Sequence, residues 1–296
     1  MHSLITFPWW VAAFCASLGG AAYFLVNQQG KVSPAHLMVW RGLGVALLYA
    51  PFAFILPLPT DPLFYIVSVI SGLCISVYDY KLFSGAKHYG AGSLSRLQPL
   101  GILLTFLLWF IISTPYRVHF LGLELYKILG VIACLLIGMV ALMSVRRNPI
   151  SREVLLFMLP MVCVLAVIDV CNKIAIGIAP PPQGLLLYPI FNSFVAGCIS
   201  LWRCYREDNA FRIPMLWQQP LLKVAGIFLL VYIWNSTNKT YAMAKADSPS
   251  YVVAVASLST VWIYLFNRWR GMFDAANWRA EFVVVMAMVG LILLTA

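Results

Sequence analysis

Residues 81–87 read KLFSGAK and residues 239–245 read KTYAMAK. Each segment opens on a lysine near the end of an apolar stretch, turns through small residues to a second lysine, and leads into another apolar stretch. The offset of 158 that aligns them also brings Leu100 onto Leu258. At an offset of 152, Pro8 falls on Pro160 and Gly138 on Gly290, and six residues of extra loop reconcile the two registers. Self-similarity in register marks a duplication. The chain therefore reads as two related halves, 1–148 and 149–296.

What each half is made of follows from composition. Of 296 residues, 62% are hydrophobic and 10% charged, too little polar material for the surface of a water-soluble protein of this size. A helix crossing a hydrocarbon core of ~30 Å needs roughly 20 apolar residues. Such stretches occur at 6–27, 35–57, 63–86, 93–113, 122–144, 153–178, 183–203, 221–244, 249–267 and 280–296. The breaks between them carry Pro, Gly, Asn, Asp and charge, so the chain leaves the helical state only where water can satisfy its backbone. The expected fold is an all-α integral membrane bundle of ten helices. Because each half holds an odd number of spans, five, the second copy is inverted relative to the first. Inverted repeats of this kind are a common transporter architecture.

The first stretch is longer than a signal-peptide core and lacks its basic start, which reads as a retained helix. Six of the seven cysteines lie within spans without CxxC spacing, and read as packing residues.

A formal charge of +10 raises nucleic acid as a partner, but on so apolar a chain basic residues are first a topology signal. The odd-numbered loops and their flanks hold Lys31, Lys87, Arg146, Arg147, Arg152, Arg203, Arg206, Arg212, Lys223, Arg268, Arg270 and Arg279. The other side has Arg117, Lys127 and Lys245. The bias places the odd loops in the cytoplasm and both termini outside. Short loops suggest a bacterial inner membrane. Trp9, Trp10, Trp202, Trp217, Trp269 and Trp278 fall at span ends, as interfacial anchors do.

The chain also resembles the drug/metabolite transporter superfamily, in its ten-helix branch of two EamA-like repeats. The residues that carry the resemblance are Arg41 early in the second span, the passage AKHYGAGSLSRLQP at 86–99, and its counterpart AKADSPSYVVAVASLS at 244–259. The resemblance implies a secondary transporter or exporter with a central cavity between the repeats and no ATP-hydrolysing domain of its own.

Charges inside spans are the candidate site. Mid-bilayer charge costs at least ~2.5–3.5 kcal/mol, so such residues usually face a cavity or a partner. Arg41, Lys81, Arg96, Lys173 and Lys239 qualify, against only Asp79 and Asp169. Wherever these converge, positive charge is in excess, and an anionic or zwitterionic small-molecule substrate would neutralise it. Lys81 and Lys239 are expected to bracket that substrate from opposite sides of the midplane, or else to snorkel to the nearer interface. Arg41 is a candidate two-pronged anchor for carboxylate or phosphate. Asp169 and Lys173, four apart with the acid first, are expected to form a helical ion pair, with proton coupling as the alternative. Asp79 is a second coupling candidate, since desolvated carboxylates can exchange protons. Asn235 and Asn238 supply uncharged donors and acceptors, as does Asn192; Tyr78 could stack on a ligand, with Tyr23, Tyr80, Trp234 and Tyr241.

Other classes fit less well. His2, His36, His88 and His119 are scattered, HExxH is missing, and neither buried-span aspartate has the flanking glycines of an intramembrane protease. No enzyme, metal site or cofactor is expected. There is no Walker motif and no selectivity-filter pattern. The remaining alternatives are an exporter of cationic or aromatic compounds and a non-transporting membrane subunit.

Overall fold

The computed structural model describes residues 7–29, 32–89, 99–144, 152–207, 211–271 and 278–296, with the side chains of 27–29 and 86–89 excepted. No strand occurs among them. The helices are α1 (Trp9–Gln29), α2 (Pro34–Ile55), α3 (Pro62–Tyr89), α4 (Leu100–Ile112), α5 (Thr114–Leu121), α6 (Leu125–Ser144), α7 (Arg152–Ile178), α8 (Gln183–Glu207), α9 (Gln219–Lys245), α10 (Pro249–Trp269) and α11 (Trp278–Thr295). Among the described residues nine are long and apolar enough to cross a membrane, or ten if α4 and α5 count as one. The protein is thus a multi-pass membrane protein.

Local chemistry sets the boundaries. Prolines stand in the first turn of α2, α5, α9 and α10, where a missing N–H breaks no helical bond. Asp61 accepts from the Leu63 amide at 2.8 Å ahead of α3, and Ser113 and Ser248 cap the starts of α5 and α10.

Two features depart from the sequence expectation. The fourth span is described only from residue 99 on, and instead of ending in a simple turn it bends by 103° into α5. Tyr116 and Phe120 of α5 are buried against Phe106 of α4, while Val118 and Leu121 are exposed. Trp9 is no surface anchor: it is buried beside Tyr251, whereas Trp10, Trp202, Trp217, Trp269 and Trp278 are exposed.

Packing is organised around a central group. α1 lies along α9, α7 along α3, α2 against α8, α4 against α10, and α6 against α11. Lipid offers apolar groups no reason to leave it, so close approach depends on small residues. Gly42 of α2 meets Gly197 of α8 so closely that a Cβ on either would overlap the other helix. Gly72 of α3 sits against the Asn192 carbonyl, and Gly19 of α1 against Trp234 and Asn235 of α9. The outer faces carry exposed Leu18, Ile66, Leu73, Ile137, Leu230 and Leu293, the apolar surface a bilayer covers.

Candidate functional site

A cavity of about 200 Å³ lies in the middle of the bundle. Seven helices contribute to it, α1, α2, α3, α7, α8, α9 and α10, together with Pro99 just before α4. The paired helices α6 and α11 do not reach it.

At one end is Arg41. Residues Trp40–Gly44 form a single π-helical turn within α2, and π turns occur frequently at functional sites. The guanidinium is ion-paired with Asp79 of α3, donates to the Tyr232 hydroxyl of α9 at 2.8 Å, and lies 4.2 Å from that ring's centroid. Both charged side chains are under a tenth exposed. Tyr23 stacks on Phe228 at 4.4 Å and touches Tyr232, giving this end an aromatic wall.

At the other end is Asp169, fully buried on α7, with Oδ1 2.6 Å from the Lys239 ammonium of α9. Tyr232 and Lys239 are seven residues apart on one helix, so about 10 Å of rise separates the two ion pairs. Asn172, Asn235, Ser236, Ser257 and Thr260 line the wall between apolar residues. Ser257 falls at the interruption of α10 between Ala256 and Ser259, where the helix has left its regular bonding.

The structure revises several expectations. Lys81 does not line the cavity; it is exposed, with its ammonium 5.9 Å from the Phe157 ring centroid, so the two repeat-related lysines do not bracket a common site. The Asp169–Lys173 pair does not form. Lys173 turns instead to the C-terminal end of α9 and donates to the carbonyls of Met243 at 2.7 Å and Ala246 at 2.5 Å. It therefore acts as a cap, the role a cation suits at a helix C-terminus. Asn238 donates to the Trp234 carbonyl of its own helix and stays out of the lining. Among the described cavity residues the surplus of positive charge disappears as well, because Arg41 and Lys239 each have a carboxylate partner.

Arg41, Asp79, Asp169, Lys239, Asn235 and Tyr78 line this cavity, with Asn192 and Tyr23 beside them. Tyr80 bonds Glu207, Tyr241 the Phe7 carbonyl and Trp234 the Cys15 carbonyl, none of them in the cavity. Arg96 lies outside the described residues. Tyr232 and Asn172 line the cavity without having stood out in the sequence. For Tyr232 a signal existed: positions 232, 235, 236, 239 and 240 fall on one face at helical spacing, although Thr237 and Asn238 between them blur the pattern.

No family model and no curated protein matches this chain. Solved structures do. One, described only as "Crystal structure of protein", is similar over 97% of this chain and 97% of its own, with a TM-score of 0.66 and 18% identity. At that identity the likeness speaks to the fold alone. Among the described residues no cluster of His, Cys, Asp or Glu suits a metal ion.

Proposed function

We propose that this protein is a secondary active transporter that moves a small organic zwitterion or anion across a membrane by alternating access. The observation that carries the reading is a cavity holding two ion pairs, deep among apolar helices drawn from both halves of the chain. Burying four charges costs several kcal/mol per ion before pairing offsets it. A purely structural core has no need of them beside open space.

The two-repeat architecture, 1–148 and 149–296 with the second inverted, belongs to the same proposal. Its support is the pattern of neighbours. Exchanging α1 with α7, α2 with α8, α3 with α9, α4 with α10 and α6 with α11 turns the α1–α9 contact into α7–α3, and maps α2–α8, α4–α10 and α6–α11 onto themselves. That correspondence supports a two-fold axis between the halves, an arrangement common among alternating-access carriers. The EamA-like resemblance of 86–99 and 244–259 points the same way, and loop charge favours a cytoplasmic side opposite the two termini.

Balanced charge favours a cargo carrying both signs over a simple anion. Asp79 and Asp169 are the residues through which a proton or counter-substrate would couple. A second reading, export of cationic or aromatic compounds, is favoured by Tyr23, Phe24, Tyr78 and Tyr232 in the wall.

A thermal-shift screen of detergent-purified protein tests both, since cargo stabilises the state it binds. Amino acids, organic acids, phosphorylated metabolites, nucleotides and cationic drugs form the panel. Stabilisation by zwitterions or anions, lost in Lys239→Ala and Arg41→Ala, supports the first reading. Stabilisation confined to cations or neutral aromatics moves the assignment to the second, and no uptake of any hit into proteoliposomes ends both.

A further inference from the structure

The two ion pairs are not built alike. Arg41 is held at three points, by Asp79, by the Tyr232 hydroxyl and by the Tyr232 ring, on a helix turn shaped around it. Lys239 has one partner, Asp169 Oδ1, on a flexible four-carbon stem, and its side chain is 21% exposed to the cavity. Asp169 is 0% exposed, and its Oδ2 has no hydrogen-bond partner among the described residues. A buried acceptor left without a donor is destabilising, the more so when it is charged. The cation four residues along the same helix, Lys173, is turned instead to the carbonyls of Met243 and Ala246.

We propose that Asp169 is the cation site for the cargo, and that Lys239 is its tethered occupant while the carrier is empty. An entering ammonium group displaces Lys239 from Oδ1, the lysine swings away into the cavity, and the unpartnered Oδ2 becomes a second acceptor for the newcomer. The freed lysine needs an anion in turn. A cargo with an amine and an acid on one small frame supplies both, so the charge within the cavity is the same before and after exchange. A cargo lacking the amine leaves Lys239 on Asp169, and one lacking the acid leaves Lys239 unpaired. This assignment rests on the transport reading and reverses the sequence expectation: the lysine is a stand-in for cargo before it is a ligand to it.

Chemical rescue tests the site without knowledge of the cargo. Lys239→Ala, purified in detergent, is melted with millimolar ethylammonium and, separately, tetramethylammonium, which has no N–H to donate. The expected result is a rise in Tm of about 3–5 °C for Lys239→Ala with ethylammonium alone. Wild type, whose site is filled by its own lysine, and Lys239→Ala/Asp169→Asn, which has no carboxylate, are unmoved. Should Lys239→Ala not fold, Lys239→Gln keeps a donor on Asp169 and takes its place in every arm. No rise in the single variant, or an equal rise in the double variant, overturns the proposal. If wild type moves no solute in proteoliposomes yet the rescue appears, the transport reading falls and Asp169 stands as a cation site. Transport by wild type without rescue overturns the assignment of Asp169 and Lys239 and leaves the transport reading standing.

Discussion

Two lysines with the same sequence signature end in opposite environments, and charged partners decide why. Lys239 has a buried carboxylate within reach across the cavity, while Lys81 has an exposed position and the Phe157 ring. Arg41 is bound more tightly than either. Removing one member of a buried pair leaves the other uncompensated, which costs about 3–5 kcal/mol, whereas surface changes usually stay within about 0.5 kcal/mol. Arg41→Ala is therefore expected to lower the thermal midpoint sharply, and Lys81→Ala to leave it and any transport unchanged; circular-dichroism melts of both variants check this. A Lys81→Ala protein as crippled as Arg41→Ala would place Lys81 in the core after all. That Arg41, Asp79, Asp169 and Lys239 are unusual was legible here, because charge inside an apolar span is conspicuous in sequence, but Lys81 and Lys173 were equally conspicuous and lie outside the cavity. Who pairs with whom was not legible: Asp169 had a lysine at the favourable helical spacing, and the pairing went instead to one 70 residues away. Spacing along one helix says nothing of how neighbouring helices are rotated.

At the scale of elements, what the apolar runs foretold survives in nine of the ten expected spans, with shifts of a few residues at their ends. Interruptions inside helices were harder to foresee. The π turn at Trp40–Gly44 and the break of α10 after Ala256 lie where the backbone meets the cavity, and neither has a proline to announce it. The glycine in that π turn also fixes how α2 crosses α8. Gly42 would set a Cβ against the backbone of Gly197, so Gly42→Ala must separate the helices and is expected to destabilise by about 1–3 kcal/mol. Gly226→Ala in α9 is the matched control, since a Cβ there meets nothing within 4 Å, and alanine suits a helix better than glycine. Thermal unfolding of the pair in one detergent reads the difference. Equal stability would mean that the α2–α8 crossing is loose.

For the whole molecule, the proposed repeat is one of elements more than of side chains: the α1–α9 and α7–α3 contacts correspond, yet the lysines that lead KLFSGAK and KTYAMAK sit in different surroundings. Asymmetry of that kind is what a carrier needs if one half holds a fixed ion pair and the other an exchangeable one. In the proposed cycle the empty carrier must turn around as readily as the loaded one. With Lys239 on Asp169 no uncompensated charge is buried as it does so. In Lys239→Ala the empty form keeps a bare carboxylate, whose burial costs several kcal/mol, and each 1.4 kcal/mol slows its return about tenfold. A bound zwitterion gives Asp169 an ammonium partner but leaves its own acid without the lysine, so the loaded form carries one uncompensated charge as well. Lys239→Ala proteoliposomes are thus expected to lose exchange of labelled for unlabelled cargo together with net flux into empty vesicles, each by at least about a hundredfold. Lys239→Arg, which keeps a cation at the site, retains both. Exchange retained while net flux falls would confine Lys239 to the empty carrier, because a residue that also holds the cargo's acid is needed in the loaded half of the cycle.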